Sequence, residues 1–157
     1  MLQRYEAYDE VTAKALSLDR ECPYCWMNRG VAQYLAGRPW VEVAQSYDKA
    51  IGLRPDHPGV WFAKADRAAA SGQHQEAVDT YDRALSLDPT FPHAWMGKGE
   101  ALMCLGRYQE ALEAIDTAIR LLPDDPDVRE NRGTLLRRMG RYEEAREAFE
   151  KATSLRL

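Results

Sequence analysis

Cys22-Pro23-Tyr24-Cys25 sets two thiols at a C-x-x-C spacing. The pair straddles an expected helix start, where unpaired N–H groups and the helix dipole lower a thiol's pKa. That is a setting for thiol redox chemistry. Zinc would need two more ligands, and Cys104, His57, His74 and His93 are not spaced to supply them. The three histidines share no neighbouring motif, so no acid–base or nucleophilic constellation forms around them. Gly30 and Gly37, Gly99 and Gly106, and Gly133 and Gly140 stand seven apart. That is not a phosphate-cradling loop. Acidic residues are plentiful, but most fall on the polar faces of amphipathic stretches, the usual solvated arrangement.

The elements that hold these residues repeat. Pro23, Pro58, Pro92 and Pro126 are spaced 35, 34 and 34 residues apart. Pro55, Pro89 and Pro123 keep the same beat, as do Gly37, Gly72, Gly106 and Gly140, Ala50, Ala84, Ala118 and Ala152, and Leu53, Leu87, Leu121 and Leu155. Self-similarity at a fixed period outranks any local reading. The clearest copy runs from Pro92 to Asp125. Pro92 takes the first helical position, where a missing N–H costs nothing. Trp95, Gly99 and Leu102 recur at helical spacing, and Gly106 ends this first helix as a residue free to take positive φ. Tyr108 opens a second helix whose apolar face is Ala111, Ile115, Ala118 and Ile119. Trp26 and Trp61 match Trp95, and Tyr142, Ala145, Phe149 and Ala152 match the second helix. Small residues at Gly30, Ala65, Gly99 and Gly133 are expected to face Ala77, Ala111 and Ala145, letting two antiparallel helices approach closely.

These residues resemble the tetratricopeptide repeat family, whose pattern is Trp, Leu-Gly and Tyr in the first helix and Ala, Phe or Tyr, Ala and Pro in the second. The resemblance spans the chain as one array over 1–157: a partial repeat at 1–22, then repeats at 23–57, 58–91, 92–125 and 126–157. It implies an all-α, right-handed superhelical solenoid of antiparallel helix pairs. Nine helices are expected, near 4–18, 24–36, 40–53, 59–71, 75–87, 93–105, 109–121, 127–139 and 142–155. The chain departs from the family in three ways. The apolar seventh position is basic in every copy (Arg29, Lys64, Lys98, Arg132), Arg129 replaces the tryptophan of the fourth, and the first has an extra residue at Arg38-Pro39. Opposite the basic position, the sequence predicts acidic partners on the second helix of the same hairpin: Asp48, Asp82, Asp116 and Glu150. Cys22-Pro23-Tyr24-Cys25 also resembles a glutaredoxin active-site sequence, but that chemistry belongs to a strand–helix fold. Here Pro23 reads as the first residue of a copy.

In the family the first helices line a concave groove. The resemblance therefore implies a peptide-binding face made of Tyr24, Met27, Asn28, Val31 and Tyr34, then Phe62 and Asp66, then His93, Met96, Glu100 and Met103. Met27, Phe62 and Met96 recur at the fifth position, which the repeat core does not need. They read as an apolar floor, with methionine suited to an adaptable surface. Asp66 and Glu100 rim it and favour a partner with Lys or Arg. The Lys and Asn clamp by which one subfamily grips chaperone C-terminal carboxylates is missing, since the fifth and ninth positions read Met27 and Val31, Phe62 and Asp66, Met96 and Glu100.

Composition narrows the classes. The 157 residues are 45% hydrophobic and 29% charged, with a net charge of -4. That is too acidic for a phosphate-backbone binder, so no nucleic-acid partner is expected. No run is long and apolar enough to span a membrane, and the first residues lack a secretory pattern, so the expected location is the cytoplasm. The expected function is a protein–protein interaction scaffold binding a protein or peptide with apolar and basic residues. It is not expected to be an enzyme or to need a cofactor or metal. The alternative is a structural module that self-associates through uncapped ends. Tyr5, Tyr8, Val11 and Leu16 lie at one end, and Ala152, Leu155 and Leu157 at the other.

Overall fold

Prolines and glycines set the boundaries of most helices. The computed structural model describes residues 2–156, so Leu157, counted above among the end residues, lies outside it. The described residues form nine α-helices and no strand: α1 (Leu2–Leu18), α2 (Pro23–Leu35), α3 (Trp40–Leu53), α4 (Pro58–Ala70), α5 (His74–Leu87), α6 (Pro92–Cys104), α7 (Tyr108–Leu121), α8 (Pro126–Arg138) and α9 (Tyr142–Ser154). Proline opens α2, α4, α6 and α8, where its fixed φ is preorganised and no N–H is wasted. Past the end of each of these helices a glycine sits at positive φ, between 73° at Gly37 and 78° at Gly72. The next residue's N–H returns to the carbonyl five residues back, as from Arg107 to Leu102 at 3.0 Å and from Arg141 to Leu136 at 2.9 Å. This closing motif needs a left-handed residue, which glycine adopts at little cost.

The helices fall into two compact units divided after Leu87. In the first, α1 packs on α2, α2 on α3, α3 on α4 and α4 on α5, and the first helices α2 and α4 also touch. In the second, α6 through α9 repeat the scheme. The core of the first unit is Ala32, Val43, Tyr47, Ala50, Val60, Ala65, Val78 and Tyr81, and that of the second includes Leu102, Ala111, Ile115, Ala118, Leu135 and Leu136. Position eight explains the tight pairing. A Cβ at Gly99 would lie 3.3 Å from the Ala111 carbonyl oxygen and 2.6 Å from Ile115 Cγ1. At Gly30 and Gly133 it would meet the rings of Tyr47 and Phe149, at 2.7 and 2.8 Å. The small residue thus faces a large side chain one turn further along the second helix, as well as the expected small one.

Each first helix is pinned to the loop before it. The indole N–H groups of Trp26, Trp61 and Trp95 donate to the carbonyls of Arg20, Pro55 and Pro89, each at 2.9 Å. Arg129, which departs from the family pattern, donates its guanidinium to Pro123 from the same place.

The basic seventh position behaves differently from expectation. Lys64 bonds Asp48 at 2.8 Å and Arg132 bonds Asp116 at 2.7 Å. Each acid lies on the second helix of the preceding repeat, not of the same hairpin. Arg29 likewise approaches Asp9 of α1, at 4.0 Å. The reason is that α2, α4 and α8 each pack on two second helices, their own and the one before it, and the seventh position of each points toward the earlier one. Lys64 also reaches Glu76 of its own hairpin, at 3.2 Å. Burial alone would lower the Lys64 pKa, but hydrogen bonds and charges from Asp48 and Glu76 outweigh it and hold the pKa above the ordinary lysine value.

The Lys64 side chain is only 13% exposed, whereas Arg146 and Glu143 form a pair that is 67% and 83% exposed. A double-mutant cycle on Lys64 and Asp48 is expected to give a coupling of about 1 kcal/mol, against about 0–0.5 kcal/mol for Arg146 and Glu143. Urea unfolding of both cycles reads this out. Equal couplings would mean that Lys64 contributes no more than a surface charge.

Candidate functional site

In the first unit, α2 and α4 present most of the residues assigned to the groove. Tyr24 is 53% exposed and sits edge-on to His57, with ring centroids 6.4 Å apart. His57 is held in place because its Nδ1 caps α4, accepting the Gly59 N–H at 3.1 Å. Met27, Val31, Tyr34 and Phe62 are half-buried and Asn28 is exposed. Phe62 leans on the Tyr81 ring with centroids 6.0 Å apart, so the fifth position is anchored from beneath by its own hairpin. Phe62 still retains accessible surface.

Arg67, which the sequence reading passed over, organises the polar part of this face. Its guanidinium lies over the Tyr34 ring, 5.1 Å from the centroid, and it pairs with Asp66. Burial would lower the Arg67 pKa, but the hydrogen bond and charge of Asp66 reverse this and raise it. Asp66 therefore meets any partner with its charge already engaged by Arg67. Only the pairing of a cation on one first helix with a ring on the preceding one could have signalled this, and it spans two repeats.

In the second unit, His93 is exposed and edge-on to Phe91, with centroids 6.5 Å apart. Met96 is half-buried and Glu100 exposed. Glu100 accepts a hydrogen bond from Asn131 Nδ2 at 2.6 Å, joining α6 to α8. Met103 differs from its expected place: it is only 8% exposed and belongs to the core. Its register position on α6 matches the groove face, but the packing of α6 covers it. On α8, Asp127 and Glu130 are both held by Arg156, at 2.7 and 2.6 Å, and the Arg137 guanidinium lies 5.9 Å from the Phe149 ring centroid.

Cys22 and Cys25 are joined as a disulfide. The Cys22 sulfur also caps α2, accepting the Cys25 N–H at 3.1 Å. Cys104 is free and exposed. Among the described residues, no group of three or more His, Cys, Asp or Glu is placed to hold a metal ion, and no helix is long and apolar enough to cross a membrane. These faces offer rings, methionines and partly engaged charges, which suit the capture of another chain.

Known proteins bear on this arrangement. Models of the tetratricopeptide repeat match residues 62–126 and 126–156. The crystal structure of MamA superposes with a TM-score of 0.84 at 19% identity, covering 97% of this chain and 88% of that one. A MamA fragment from Desulfovibrio magneticus RS-1 gives 0.79 at 18%, covering 97% and 94%. YrrB, described as a TPR protein with an unusual peptide-binding site, gives 0.76 at 20%, covering 98% and 78%. At these identities the likeness concerns the fold. No curated protein matches the chain in sequence.

Proposed function

The chain belongs to the tetratricopeptide repeat family, and from that premise we propose that its first-helix faces hold a peptide or helix bearing apolar residues and at least one Lys or Arg. The family and fold are those of protein–protein interaction scaffolds, in general without catalytic activity of their own. The observation that carries the finer reading is the fifth position. Met27, Phe62 and Met96 keep accessible surface although the hairpin core is already filled by buried neighbours such as Ala65, Tyr81, Leu102 and Ile115. Apolar surface kept at one register of successive copies is the pattern of a helix-in-groove or extended-segment contact. Asp66 and Glu100 supply the preference for a basic residue in their respective units: a partner cation would share Asp66 with Arg67, and another would share Glu100 with Asn131. YrrB, with the same fold, is described as binding peptide.

The test uses fluorescein-labelled peptides of alternating Leu and Arg, with Glu-for-Arg versions as controls. The parent is expected to prefer the basic set. Replacing Phe62 and Met96 together with Ser, which removes the apolar fifth-position residue of α4 and of α6, is expected to weaken binding at least about tenfold with unchanged helix content. Equal binding by parent and double variant would remove these faces from consideration. A second reading, self-association, is favoured by exposed apolar residues on α1, where Val11 is 63% and Leu18 85% exposed. Sedimentation of the same samples across a concentration series separates the two, because that reading requires a mass that rises with concentration and binding that does not respond to Phe62.

A further inference from the structure

We propose that the cleft between α1 and α3, floored by Trp26, is a second binding site, and that it takes a peptide segment in which a bulky apolar side chain lies next to Asp or Glu. The cleft has two lobes. One, of 720 Å³, is lined by Leu16, Arg20, Trp26, Lys49, Gly52 and Leu53 among others. The second, of 550 Å³, shares Leu16, Trp26, Asp48 and Lys49 and continues to Arg29, Gln33, Glu42 and Gln45. Both volumes fall in the range of ligand sites. None of the residues assigned above to the groove lines either lobe.

The same place in the next repeat is closed. There the lining is Pro55, Trp61, Arg83, Ser86 and Leu87, and the volume is 80 Å³. Residue by residue these correspond to Arg20, Trp26, Lys49, Gly52 and Leu53. Three of the five positions differ. The Arg83 guanidinium covers the Trp61 ring at 5.7 Å, and Lys98 covers Trp95 at 5.4 Å, but no cation lies over Trp26 among the described contacts. Lys49 stands where Arg83 does and lines both lobes. Gly52 removes the side chain of Ser86, and a Cβ built there meets nothing within 4 Å. Arg20 replaces a proline and brings a charge to the rim.

Chemistry then selects the occupant. An uncovered indole face beside Leu16 and Leu53 favours an apolar or aromatic side chain. Arg20 and Lys49 form no ion pair among the described residues, while Asp48, the acid that lines both lobes, is engaged by Lys64, and Glu42 stands only in the second lobe, opposed there by Arg29. The rim therefore favours a carboxylate, the opposite sign to the first-helix faces. The second lobe carries the amide side chains of Gln33 and Gln45, which suit a peptide backbone and give the occupant length beyond one side chain.

The probe is an acetylated, amidated pentapeptide, Gly-Asp-Phe-Glu-Gly, titrated into the full ¹⁵N-labelled chain. A peptide with Lys in place of both acids is the control. The Trp26 indole and Gly52 amide signals are expected to shift saturably, with a Kd below about 1 mM. The lysine peptide is expected to bind at least about tenfold more weakly. Gly52→Leu, which fills the cleft from an exposed position with room for a side chain, is expected to abolish the shifts without altering the remaining spectrum. The proposal fails if Trp26 and Gly52 show no saturable response, if the lysine peptide binds equally well, or if Gly52→Leu leaves the response intact. Shifts confined to the amides of Met27 and Phe62 would also overturn it, while leaving the first-helix reading standing.

Discussion

Tyr47→Ala is expected to lower the unfolding free energy by about 3–5 kcal/mol, and Tyr47→Phe to leave it unchanged or raise it. The two substitutions separate what the ring does from what the hydroxyl does. The ring is fully buried and fills the space opened by Gly30, whose own Cβ would collide with it. Truncation leaves a cavity between two helices already drawn close together. The hydroxyl is buried with no hydrogen-bond partner among the described residues, so removing it costs no bond and relieves a desolvated dipole. Alkaline pH provides an independent check. Burial is the main cause of a strongly raised Tyr47 pKa, opposed by Arg67. A group whose folded pKa exceeds its unfolded value adds stability below the unfolded pKa, and that stability is lost as pH rises toward the folded value. From about pH 10 upward the parent is expected to lose stability faster than Tyr47→Phe. Urea melts from pH 7 to 11 would refute this if the two curves fell in parallel.

Ala111→Leu is expected to cost about 1–3 kcal/mol, toward the upper end, while Gln109→Leu costs less than about 0.5 kcal/mol. Ala111 is fully buried in α7, and its carbonyl oxygen is among the atoms nearest to the Cβ that Gly99 lacks. The α6 and α7 backbones therefore run close together at this point, and a larger side chain buried there finds no space left for it. Relief requires the two helices to separate, and that loosens Ile115 and Leu102 as well. Gln109, two residues earlier, is exposed and tests whether added apolar bulk alone matters. Urea melts placing both variants within 0.5 kcal/mol of the parent would show that the α6–α7 contact is looser than the Gly99 geometry requires.

The helices were legible because their punctuation is local. Pro92 and Gly106 bound α6, and Pro126 and Gly140 bound α8, with ends within about two residues of those read from the pattern. The position-eight contacts were half legible. Periodicity identified the small residues, but it did not reveal that Tyr47 and Phe149 fill the space facing Gly30 and Gly133. What the sequence hid lies between repeats. Lys64 pairs with Asp48 rather than Asp82 because the rotation of one hairpin against the last turns the seventh position toward the preceding second helix, and no within-repeat alignment encodes that angle. Arg67 over Tyr34 escaped for the same reason, and Met103 was misplaced because register assigns a face and packing decides whether that face stays open. The cleft at Trp26 depends on Lys49 and Gly52, unremarkable residues until the covering of Trp61 by Arg83 shows what is absent.

The bond from Trp26, Trp61 and Trp95 to a carbonyl six residues upstream, and its retention by Arg129, changes what the fourth position should be taken to encode. Judged by shape, Arg129 is a mismatch, a flexible cation in a slot reserved for a flat ring. Judged by reach and valence, it is a synonym: a long side chain that delivers N–H to one fixed oxygen. Tolerance at this site should then follow donor and length, with Arg and Trp interchangeable and Phe, the closest ring by shape, the one that leaves the loop untethered.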